Sequence, residues 1–167
     1  MKTMKSSLLL LSVFILFTSF APAKKKFVYD SAEGRFSVIF PAEYASDTEE
    51  GEAVTTTKVS CVLDGQTYFA SYSVHQVEIT GQKEMAEVSY DSFIKAVNGE
   101  PISKMEWSVG EYAGLAAVMS MDESSVKLEY RVVLAGNIQY QLVVMAPDED
   151  YDEKAAAKFF NSFILKQ

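Results

Sequence analysis

AVTTTKVSCVLDGQTYFASYSVHQV, residues 53–77, is a β-hairpin written out in full. Asp64-Gly65 fits a two-residue type I′ turn, whose two central positions both need positive φ. With that turn Cys61 faces Tyr68, Val59 faces Ala70, Thr57 faces Tyr72 and Thr55 faces Val74, giving one largely apolar and aromatic face. Lys58 then pairs with Ser71 and Thr56 with Ser73 on the other. Turn chemistry and alternation agree, so an antiparallel sheet is the frame from which the rest of the chain is read.

Further strands follow on both sides. RFSVIFP (35–41) places Phe36, Val38 and Phe40 on one face and is stopped by Pro41, which lacks the N–H a continuing central strand needs. GLAAVMSMD (114–122) alternates through Leu115, Ala117, Met119 and Met121. VKLEYRVVL (126–134) does so through Leu128, Tyr130, Val132 and Leu134, and IQYQLVVMA (138–146) through Ile138, Tyr140, Leu142 and Val144. The last two strands join at AGN. A three-residue loop there sets Val132 opposite Tyr140 and Tyr130 opposite Leu142, keeping these apolar faces together, and is preferred over a Gly136-Asn137 loop that sets Val132 opposite Gln141. The other face of the final strand changes from Gln139 and Gln141 to Val143 and Met145, so its second half must be covered on both sides, and helices are the available cover.

Two stretches have helical period. In EMAEVSYDSFIKAVNG (84–99), Ala86, Tyr90, Phe93, Ile94 and Val97 form one stripe, with Asn98-Gly99 as the stop. In DEDYDEKAAAKFFNSFIL (148–165), Ala156, Phe159, Phe160 and Phe163 form another, and Asp150 with Glu153 fits a capping box. The predicted class is α+β: a central antiparallel sheet flanked by helices, an α/β/α sandwich.

The chain opens with Lys2 and Lys5, an apolar run LLLLSVFILF, and Ala21-x-Ala23, the pattern of an export signal cleaved after residue 23. The apolar run is shorter than the roughly 20 residues a membrane span takes. The only cysteine, Cys61, lies far from the position a lipid-anchored signal requires, so no stable membrane anchor is expected. Cleavage removes two lysines and no acid, taking the formal charge from −8 to −10. A chain so acidic repels nucleic acid. Residues 24–167 contain no repeat or linker and read as a single domain, periplasmic or secreted, and one cysteine cannot form an internal disulfide.

Chemistry-bearing residues are few. Asp148, Asp150 and Asp152 have the alternating spacing of a calcium loop's first ligands, but the sixth position, which needs glycine, holds Glu153, and the twelfth, which needs an acid, holds Phe159. The acids read as a helix start, where they complement the dipole. His75, the only histidine, alternates with Ser73 and Ser71 along one strand face. Residues so spaced stand side by side and do not converge on one atom, so no triad is assigned. Cys61 falls on the apolar face as a buried thiol, and Trp107 reads as a half-buried strand aromatic. Lys24 to Lys26 read as a solvated start of the mature chain. No phosphate-binding glycine loop, Cys-x-x-Cys or His-Glu-x-x-His occurs. No catalytic, cofactor-binding or metal-ligating residue is assigned, and no cofactor is implied.

GRFSVIFP (34–41), SVGEYAGLAAV (108–118), YRVVLAGNIQYQLVVMAP (130–147) and AAAKFFNSFIL (155–165) together resemble the PsbP-like family, which includes the extrinsic oxygen-evolving-complex subunit, Ran-binding import factors of related fold and many exported bacterial domains. The resemblance implies an α/β/α sandwich and a non-catalytic assembly or adaptor role. The expected function is an exported binding or assembly module that engages an envelope protein through a sheet edge or aromatic patch. The alternatives are a small-ligand or lipid binder, with space between the sheet and the helix of residues 84–98, and a hydrolase with dispersed carboxylates.

Overall fold

The computed structural model describes residues 26–121 and 125–166. The export signal read in residues 1–23, and Lys24 and Lys25, lie outside them. Hairpin chemistry lays out the larger of two antiparallel sheets. It is built from β3 (Ala45–Glu50), β4 (Val54–Leu63), β5 (Gln66–His75), β6 (Glu100–Val109), β7 (Tyr112–Met121), β8 (Val126–Ala135) and β9 (Ile138–Pro147), in the order β3-β4-β5-β9-β8-β7-β6. The β4–β5 register is the one the sequence predicts, with Cys61 opposite Tyr68 and Thr57 opposite Tyr72. Its turn has Asp64 at φ 50° and Gly65 at φ 80°, as type I′ demands.

The β8–β9 hairpin differs from the expectation. Ala135 pairs with Ile138 and Val132 with Gln141 across a two-residue loop. Only Gly136, at φ 61°, is left-handed in it, the pattern of a type II′ turn with glycine first. The two apolar rows of β8 and β9 therefore face opposite ways. Leu128, Tyr130, Val132 and Leu134 share a face with Gln139, Gln141 and Val143, while Ile138, Tyr140, Leu142 and Val144 share the other with Val133 and Ala135. Both faces are covered, so segregating the apolar rows gains nothing. Gln139 is accommodated by its Oε1, which accepts from Ser89 Oγ at 3.0 Å.

The first face is covered by α1 (Gln82–Val97). Its predicted stripe lands on β7 and β8: Ala86 is fully buried beside Leu115, Ala117 and Met119, and Phe93 stacks on Tyr130 with ring centroids 4.2 Å apart. Asn98, at φ 50°, ends the helix, and the Gly99 N–H returns to the Ile94 carbonyl, a Schellman-type stop.

The second face is not covered by a helix alone, which corrects the sandwich expected from sequence. A three-stranded sheet of β1 (Phe27–Ser31), β2 (Phe36–Phe40) and β10 (Ile164–Leu165), in the order β1-β2-β10, lies over it together with α2 (Glu153–Asn161). Phe36, Val38 and Phe40 from β2 and Phe159, Phe160 and Phe163 from the C-terminal segment fill the space, with Phe36 packed edge-on against Tyr72 and Tyr140. Burying aromatic side chains of this size contributes roughly 1.5–3 kcal/mol each before entropy is set against it. The cap of α2 is also shifted from its predicted place. Asp148–Asp150 form a short 3-10 turn, and Asp152 is the N-cap, its Oδ1 accepting from Lys154 N and Ala155 N at 2.9 and 3.0 Å. Gln66 Oε1 accepts from the Asp152 N–H at 2.7 Å, which ties the helix start to β5.

Candidate functional site

The two glycine turns that close the β6–β7 and β8–β9 hairpins lie at one end of the large sheet. Gly110, at φ 61°, leads the first and Gly136 the second. Opposite them the small sheet brings up Arg35, from the β1–β2 turn, and the β10 segment, because Ile164 pairs with Ser37, Leu165 with Phe36, and the Lys166 N–H donates to the Arg35 carbonyl at 2.7 Å. Between them is an open cleft of about 830 Å³. Its floor is apolar and aromatic, from Val109, Tyr112, Tyr140 and Phe163, and its rim carries Arg35, Glu111 and Lys166.

Arg35 owes its position to the glycine before it. A β-carbon on Gly34 would lie 2.9 Å from the Phe36 ring and 3.0 Å from Ser31 Oγ, so residue 34 must be glycine. The left-handed conformation of the turn then falls on Arg35, at φ 49°, an uncommon state for a long side chain. Tyr140 Oη donates to the Gly34 carbonyl at 2.8 Å and holds the turn against the sheet. The Arg35 side chain is exposed, and its Nη2 lies 3.8 Å from where a β-carbon on Gly136 would stand, so the guanidinium reaches across the β8–β9 turn. Lys166 is paired with Asp30, whereas none of the ion pairs among the described residues involves Arg35 or Glu111. Burial raises Tyr140 to about 12, with Arg35 pulling the other way and Tyr112 adding to the rise. It stays a neutral donor at physiological pH.

Exposed apolar residues continue from the cleft over the small sheet. Ile164 is on the rim, Ser37 stands opposite it, Ile39 is two residues along the same face of β2, and Val28 pairs with Ile39. Ile164, Val28 and Ile39 are 58%, 45% and 37% exposed.

The residues singled out from sequence lie elsewhere. Cys61 is buried on the second face, and burial pushes its thiol up, with a backbone hydrogen bond from Ala42 acting the other way. His75, at the end of β5, donates its N–H to the Asn137 carbonyl at 2.9 Å, and its own carbonyl accepts from Asn137 Nδ2 at 2.8 Å. Trp107 is a half-buried strand aromatic beside Phe163, with the Arg131 guanidinium 5.4 Å from its ring and 4.2 Å from that of Phe160. Asp152 caps α2, and Asp148 and Asp150 stand in the preceding turn. Among the described residues no three histidine, cysteine, aspartate or glutamate side chains group as a metal site, and no helix is long and apolar enough to cross a membrane. Among the described residues the cleft lining holds one carboxylate and no histidine, cysteine or serine, and it sets a guanidinium over an apolar floor. Sequence reading missed it, although the two glycine-led turns were a partial signal.

The fold is similar to the solution structure of the cyanobacterial PsbP protein CyanoP from Synechocystis, with a TM-score of 0.60 over 84% of this chain and 92% of that one at 9% identity. A crystal structure from Bacteroides thetaiotaomicron is matched with a TM-score of 0.45, over 84% of this chain and 48% of that one at 15% identity. No family model and no curated protein matches the sequence. The described residues have a PsbP-like fold, mostly antiparallel sheet with two α-helices.

Proposed function

We propose that the mature chain is an exported, non-catalytic binding or assembly module that engages an envelope protein partner through the Arg35 cleft and the apolar strip beside it. The observation that carries this reading is a guanidinium with no ion-pair partner among the described residues, at the rim of an open, aromatic-floored cleft next to exposed Ile164, Ile39 and Val28. An apolar centre with an arginine at its margin is a common composition for protein interfaces. The contact between α1 and the sheet is filled by Ala86, Phe93 and Tyr130, which favours the open cleft over a ligand held beneath that helix. Among the described residues the lining holds a single carboxylate, Glu111, and so no carboxylate pair for hydrolysis. Export rests on the pattern of residues 1–23.

Arg35 and Ile164 are exposed, so their replacement tests the surface without removing core. Affinity capture with wild type, Arg35→Glu and Ile164→Asp from the envelope fraction of cells that make the protein, quantified by mass spectrometry, should show a partner whose recovery drops at least tenfold in both variants while their melting temperatures stay within a few degrees. Recovery of the same proteins in equal amount by all three would contradict the proposal.

A further inference from the structure

We infer that the cleft receives an extended peptide segment of the partner, which pairs with the free edge of β10 and sets a carboxylate on Arg35. This rests on the reading of the cleft as the binding surface and adds what it binds. The four sheet edges are not alike. The β3 edge carries exposed Asp47, Glu49 and Glu50, and the β6 edge has Pro101 as its second residue and shifts register between Pro101 and Ser103. Charges, prolines and bulges are the usual means of discouraging strand addition. The β1 edge is capped where Tyr44 Oη donates to the Val28 carbonyl at 3.2 Å. The β10 edge is only two residues long and is followed by Lys166, but among the described residues it carries no acid, proline or bulge, and it opens on the cleft.

Register shows which groups it offers. Lys166 donates to Arg35 across the β2–β10 pair, and antiparallel neighbours alternate between bonded and non-bonded positions. Leu165 therefore turns its N–H and C=O away from β2, toward the side walled by the β6–β7 turn. On that wall a β-carbon at Gly110 would meet nothing within 4 Å, so the turn itself stands clear on the open side of the cleft. An added strand directs alternate side chains into the floor of Tyr112, Tyr140 and Phe163. Charge sets its register. Arg35 offers a paired-donor fork suited to a carboxylate, Lys166 is engaged by Asp30, and Glu111 repels an acid from the opposite wall. A fatty acid would satisfy Arg35 and the floor but leave the Leu165 groups unpaired.

The test is to select from a random heptapeptide library displayed with free carboxyl termini, using the purified exported protein as bait. Selected peptides are then measured by fluorescence anisotropy with each carboxylate in turn replaced by its amide and each backbone N–H in turn methylated. One carboxylate should matter at least tenfold with wild type and less than twofold with Arg35→Ala, and methylation should weaken binding at the one N–H that pairs with the Leu165 carbonyl. Absence of any enriched peptide, no dependence on a carboxylate, or binding insensitive to methylation at every position would overturn the inference, as would laurate binding where no peptide does. If the peptide fails while Arg35→Glu still loses the captured partner, the cleft reading survives; if both fail, it falls too.

Discussion

Gly114→Ala should cost more than any other single methyl addition at a glycine of the large sheet. Gly114 sits in β7 opposite Trp107 on β6 and Val133 on β8. A β-carbon there would lie 2.1 Å from the Val132 carbonyl oxygen and 3.0 Å from Val133 Cβ. Carbon–oxygen contacts between strands settle at about 3.3–3.6 Å, so the strands must part locally by about 1 Å. The obstacle is backbone, with no flexible side chain to swing away, and β7 is held in ladders on both sides. Overpacking costs about 1–3 kcal/mol and one ladder hydrogen bond lost about 1 kcal/mol, giving about 2–4 kcal/mol together. Gly110→Ala is the control: its φ is 61° with no atom within 4 Å of the new carbon, so only left-handed strain of about 1–2 kcal/mol applies. Urea unfolding followed by the fluorescence of Trp107 and by far-ultraviolet circular dichroism reads both. With a slope of about 1–3 kcal/mol per molar, Gly114→Ala should lower the midpoint by about 1 M or more. A loss under about 1 kcal/mol, or one smaller than that of Gly110→Ala, would refute the close approach of β7 and β8.

Asp152→Ala should cost about 1 kcal/mol in the same assay through loss of the α2 cap, and Asp150→Ala under about 0.5 kcal/mol; the reverse order would restore Asp150 as the cap. Cys61, buried with its thiol pushed up, should resist a thiol reagent in the folded protein and react within the unfolding transition in urea, whereas immediate reaction without denaturant would contradict its burial. Tyr140, raised to about 12 by burial, should contribute stability that is fully present below pH 10 and is lost as pH rises from 10 toward 12, because the unfolded chain ionises first. The loss is about 1 kcal/mol per pH unit, and melts between pH 9 and 11.5 on wild type and Tyr140→Phe should show a smaller decline in the variant; equal declines would oppose the assignment.

The hairpin of residues 53–77 was legible because two independent signals, Asp64-Gly65 and strict alternation, set one register. The stripe of α1 was legible because one face is apolar and Asn98-Gly99 marks its stop; α2 shows its apolar face too but no marked stop, and Phe163, expected on that stripe, lies beyond the helix end at Asn161. The β8–β9 register was not legible, because Val132, Val133 and Leu134 are consecutive and buried, so an apolar face exists in either register and glycine geometry decides. β3 escaped notice because ASDTEE is an exposed acidic edge strand without alternation, while β6, of which only Trp107 reads as a strand residue from sequence, alternates through Met105, Trp107 and Val109 but is interrupted near its start at Pro101. Three aspartates two apart gave no local basis for choosing the cap, which Gln66 helps fix from a distant strand. The cleft depends on Arg35, Glu111 and Ile164 meeting through β2–β10 pairing, a contact between chain segments that no local pattern announces.

The central claim is that the partner sits in the cleft, and contact there can be read directly. A photoreactive amino acid placed at Tyr112, which lines the cleft, and separately at Val88, exposed on α1, should on irradiation in living cells give one discrete higher-mass adduct at position 112 and none at 88, the adduct vanishing when Arg35→Glu is added. Equal adducts at both positions, or one at 88 alone, would contradict the account.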